Sequence, residues 1–92
     1  MEDWVFEWDE AKNTLLKDNR NISFEDIIIA IQNDKLIDII PSPSSKHPMQ
    51  ECFVVEIEDY AYIVPFVLQE KRVFLKTIYP SRKHTKYFLR GK

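Results

Sequence analysis

The amino-acid sequence predicts an α+β fold with two N-terminal helices, an antiparallel sheet of about four strands and a C-terminal helix, the helices lying on one face of the sheet. Three observations carry that prediction. Two early segments repeat apolar residues at helical spacing. Three β-rich runs, joined by links of two residues, follow a proline-rich loop. A serine-led, cation-rich segment comes after them. Ninety-two residues suit a single domain spanning 1–92, since domains typically run about 50 to 250 residues.

The first helix is read from "DEAKNTLLKDN". Asp9 is its N-cap, Ala11, Leu15 and Leu16 recur at helical spacing, Phe6 and Trp8 lead in, and the segment ends near Asn19. In the second, Ser23 caps, Asp26 stands at N3 where a capping-box acid belongs, and Ile22 and Ile27 occupy the staple positions. Phe24, Ile27, Ile28 and Ile31 then form an apolar stripe, which predicts a helix over about 24–33 despite the β-branched isoleucines. "KLIDII" is a short strand, stopped by "PSPSSKHP", where Pro41, Pro43 and Pro48 forbid continuation. "ECFVVEIE", "YAYIVPFVLQ" and "RVFLKTIY" follow as a meander, linked by Glu58-Asp59 and Glu70-Lys71. Pro65 lacks an amide donor, which predicts a bulge or an outward-facing edge in the middle run. Ser81 caps a last helix over about Arg82 to Leu89.

Composition removes several function classes. Gly91 is the only glycine, so there is no glycine-rich phosphate loop and no dinucleotide fingerprint. Cys52 is the only cysteine, excluding an internal disulfide, and its place in a strand-like run reads as packing rather than as a nucleophile. His47 and His84, the two histidines, lack partners at metal-ligand spacing, so neither a metal nor any other cofactor is expected. The longest apolar runs fall far short of the roughly 20 residues that span a bilayer, and the acidic start is unlike a secretory leader. A cytoplasmic protein without membrane contact is the expectation.

Charge is unevenly distributed. Formal net charge is −2, yet eight cations, from Lys71 to Lys92, follow the last acid, Glu70. The residues before them carry all 15 acids and five cations. Arg82, Lys83 and His84 open the last predicted helix, where the macrodipole disfavours cations, a local conflict expected at a functional site. Arginine and lysine side chains beside helix amides suit a phosphate, and Tyr79, Tyr87 and Phe88 offer flat faces for unpaired bases. The same residues also suit a solvated helix with an aromatic core side.

The order of motifs resembles the BrnT-type toxin family. "FEWDEAKN" precedes "NISFEDI", and the strands end in Ser81-Arg82 before a last helix. Where the family carries Lys-His-Gly, this chain reads Asn19-Arg20-Asn21, and the family's "ISAR" stands as Tyr79-Pro80-Ser81-Arg82. The resemblance implies a RelE-like ribonuclease toxin of a bacterial type II toxin–antitoxin module. Its partners would be RNA as substrate, a cognate ribbon-helix-helix antitoxin, and operator DNA through that antitoxin only. The alternative is a toxin-like binding module that acts without catalysis. Metal-free RNA cleavage needs a base, an acid and cations on the phosphate. Arg82 suits the phosphate clamp and His84 the acid or base, with Arg20 as a second cation and Tyr79 orienting the substrate. Lys17, Lys76, Lys83, Lys86 and Tyr87 are the candidate RNA-binding residues.

Overall fold

The computed structural model describes residues 4–42 and 50–90. Pro43, His47 and Pro48 of the proline-rich loop, together with Gly91 and Lys92, lie outside the described residues. The elements are β1 (Val5–Glu7), α1 (Glu10–Arg20), α2 (Phe24–Gln32), β2 (Leu36–Pro41), β3 (Glu51–Ile57), β4 (Tyr60–Gln69), β5 (Arg72–Leu75), β6 (Tyr79–Pro80) and α3 (Arg82–Thr85), the last running into a π-helical turn, Lys86–Arg90. The α+β class is as the sequence predicts; the helix–strand layout fits it roughly, with a short strand, β1, placed ahead of the first helix.

The start of each early helix follows its local chemistry. Asp9 accepts from the amides of Ala11 and Lys12, and α1 stops at Asn21, whose left-handed φ of 55° closes the cap. At α2 the Ser23–Asp26 capping box forms in both directions, with Ile22 and Ile27 buried at the staple positions. The buried face of α1 differs from the predicted one: Asn13 and Leu16 point inward, while Ala11 and Leu15 face solvent. Asn13 is inside because it joins the two helices. Its Oδ1 accepts from the Phe24 amide at 2.8 Å, and its Nδ2 donates to Glu25 Oε1 at 2.8 Å.

The sheet has six strands rather than about four, in the order β1-β5-β4-β3-β2, with β6 added to β4. It is mixed, because β1 pairs parallel with β5. The run "RVFLKTIY" is two strands, β5 and β6, separated by Lys76–Ile78. Pro65 makes no bulge: β3 and β4 stay in register from Glu51↔Phe66 to Ile57↔Tyr60. Its carbonyl accepts from the Lys76 amide just past the end of β5, so the missing donor falls where that ladder stops. The register shift lies instead in β2, between Leu36 and Asp38.

Helices cover both faces of the sheet, not one. Phe53, Val55, Val64, Phe66, Val73 and Leu75 pack with Phe24 and Ile27 under α1 and α2. Alternate residues of the central strands, Cys52, Val54, Ala61 and Ile63, form a second cluster that receives Tyr79, Phe88 and Leu89. Burial on both sides explains why "CFVV" of β3 is apolar without alternation.

Candidate functional site

The segment carrying most of the candidate residues is fixed to β4 at its start. The Ser81 amide donates to the Ala61 carbonyl at 3.0 Å. Buried Thr85 accepts from the Ala61 amide at 2.8 Å and donates to the Ser81 carbonyl at 2.7 Å. At the other end, Arg90 Nη2 donates to the carbonyl of Asp59, in the β3–β4 turn, at 3.1 Å. Between these anchors the helix lies beside β2, and a groove of about 630 Å³ opens between them. Asp38, Ile40, Lys83, His84, Lys86, Tyr87 and Phe88 line it.

Ser81 does cap the helix, its Oγ accepting from the His84 amide at 3.1 Å. The same oxygen lies 2.6 Å from His84 Nδ1, which fixes the ring and leaves Nε2 without a protein partner among the described residues. Burial, and then the charge of Lys83, hold His84 below the ordinary imidazole value of 6.5, so the ring is neutral at pH 7. It stacks on Phe88 at 6.2 Å between centroids, and Tyr87 meets Phe88 edge-on at 4.8 Å. Tyr87 is 71% exposed.

The structure brings together four of the nine candidates, Lys83, His84, Lys86 and Tyr87, around this groove. Arg82 precedes them in the same helix, exposed, with no ion pair or hydrogen bond among the described residues. Tyr79 is half-buried against the second cluster, and its hydroxyl is raised above the ordinary value by burial and then by Cys52, so it stays protonated. Cys52 is itself fully buried, and desolvation pushes its thiol up, as befits a packing residue.

The other three candidates lie elsewhere. Arg20 ends α1 under the opposite face and donates from Nη1 to the Ile78 carbonyl. Lys17, on the same helix, stands 3.9 Å from Glu25. Lys76 rests over the Phe74 ring at 5.6 Å, beside a smaller depression lined also by Glu7, Val67 and Arg72. Asp38 and Ile40 are groove residues that sequence reasoning leaves inside a strand. The available signal is that Asp38 is the one charge within "LIDII", and the bulge turns it and Ile37 toward the same face.

No protein-family model matches this chain, and no curated protein matches it. Among the described residues no helix is long and apolar enough to cross a membrane.

Proposed function

We propose that this protein is a cytoplasmic ribonuclease toxin of the BrnT type, from a bacterial type II toxin–antitoxin module, which cleaves RNA without a metal and is held inactive by a ribbon-helix-helix antitoxin. One observation carries the reading: a neutral, oriented imidazole, two lysines with no ion pair among the described residues and an exposed tyrosine share one groove. The quoted motifs, "FEWDEAKN" and "NISFEDI", support it from the sequence side. In this mechanism His84 takes the 2′-hydroxyl proton through Nε2, the 2′ oxygen attacks phosphorus, and a 2′,3′-cyclic phosphate forms as the 5′-oxygen bond breaks. The imidazolium so made can return its proton to the departing 5′ oxygen. Arg82, Lys83 and Lys86 meet the negative charge of the phosphorane.

A second reading, the non-catalytic binding module, is favoured by one specific fact. Arg20 is held by the Ile78 carbonyl and Lys17 stands beside Glu25, both away from the groove, which leaves any catalytic work to the α3 segment alone. Incubation of purified protein with single-stranded RNA and a chelator separates the two. Cleavage that falls about 10²- to 10³-fold in Arg82→Ala and at least as far in His84→Gln, with melting temperatures retained, supports the enzyme. Wild-type protein that cuts no RNA leaves the binding module.

A further inference from the structure

Asp38 is out of place in a groove built for phosphate. A carboxylate there repels the RNA backbone, and the ordinary explanation, an ion pair with Lys83 or Lys86, does not hold. Neither lysine comes within ion-pair distance of it among the described residues, although all three line the same groove. Its Oδ1 accepts only from the adjacent Ile39 amide, at 2.8 Å, and Oδ2 has no partner among the described residues. Around it the lining is Ile40, Phe88, Tyr87 and His84, an apolar and aromatic wall with cations at Lys83 and Lys86.

We infer that the groove is a nucleobase pocket that selects guanine, with Asp38 reading the base edge; this rests on the RNA-binding part of the reading above and names its specificity. Guanine is the one common base that presents two adjacent N–H donors, N1–H and N2–H, and a carboxylate accepts both side by side. Adenine and cytosine each set an acceptor nitrogen beside their amino group, and uracil flanks its single N–H with two carbonyls, so each brings a lone pair against the carboxylate. Tyr87 and the His84–Phe88 pair supply the flat surfaces on which the base stacks. Lys83 and Lys86 hold the flanking phosphates. An acidic peptide is the other occupant that the lysines would attract, but Asp38 opposes it and the ring faces have no use for it.

The test measures binding apart from cleavage, using 2′-O-methyl RNA pentamers that lack the attacking hydroxyl. Four carry guanine, adenine, cytosine or inosine as the central base among uridines, and a fifth is all uridine. Wild type should prefer the guanine pentamer roughly 5- to 150-fold, the range of one bidentate base contact. Inosine, which keeps N1–H and lacks the N2 amine, should fall between guanine and adenine. Asp38→Asn, an exposed substitution that leaves the core alone, should bring the guanine preference close to unity. Tyr87→Ala should weaken all five while keeping their order. Equal binding of all pentamers by wild type overturns the inference and leaves RNA binding standing. Binding of an oligoglutamate peptide with no binding of any pentamer overturns both. Guanine-selective binding by a protein that cleaves no RNA supports the pocket and removes the nuclease.

Discussion

His84 ties the chemistry of the groove to the stability of the fold. Its folded-state pKa lies below the ordinary 6.5 because burial, and then Lys83, disfavour the charged ring. The unfolded chain therefore takes up this proton first as the pH falls. Above pH 6.5 the residue is neutral in both states and costs nothing; below it the penalty grows, and it is complete once the pH is under the folded value. Glu25 acts in a lower window. Its carboxyl is held below 4.5, chiefly by the Asn13 hydrogen bond, so its contribution is present above 4.5 and lost as the pH falls through the folded value. Thermal melts from about pH 8 to about pH 5 should thus show a decline that His84→Gln removes. Identical slopes for the two proteins would mean that the ring is not desolvated. Neither Asn13 nor Asp38 was legible at this scale. A polar residue in a helix or strand reads as solvent-facing until its surroundings are known: the partners of Asn13, Phe24 and Glu25, lie 11 and 12 residues away, and Asp38 shares its groove with residues from Lys83 onward.

At the scale of elements, α2 shows how far periodicity reaches. The stripe Phe24, Ile27, Ile28, Ile31 gives the correct helix and the correct side, but its centre is displaced: Phe24, Ile27 and Ala30 are buried, while Ile28 and Ile31 are partly covered and Ile29 is 54% exposed. Ile27→Ala should accordingly cost about 2–5 kcal/mol, and Ile29→Ala less than about 0.5 kcal/mol, measured by denaturant unfolding. Comparable losses at both positions would place the wrong face against the sheet. The capping box was legible because its two hydrogen bonds are local. β1 was not, because three residues cannot display a period and its pairing with β5 joins positions 67 residues apart in sequence. The final helix was legible in position but not in form, since nothing local distinguishes an α-helix from the π-turn over Lys86–Arg90.

Over the whole molecule, the placement of charge depends on topology. The sequence shows an acidic first part and a basic last part, and the fold sets the helices of the first part under one face and the basic helix on the other. Arg82, Lys83, Lys86 and Arg90 are thus gathered on one segment while Lys71, Arg72 and Lys76 stay at β5, and attraction of a polyanion to that segment should be local and salt-sensitive. If Lys83 and Lys86 each neutralise one phosphate of a single strand, replacing both with alanine should flatten the slope of log affinity against log salt by about 1.4. An unchanged slope would put the RNA on another surface. That the sheet is covered on both sides could be read from "CFVV" but was not, because an apolar strand of that length also suits one buried face and a turn.

The segment that covers the second face follows, in chain order, every strand it covers. In any order of folding that forms the sheet before this segment docks, Cys52, Val54, Ala61 and Ile63 stand as an unroofed apolar strip, a surface through which folding intermediates associate with one another until Phe88 and Leu89 close over it.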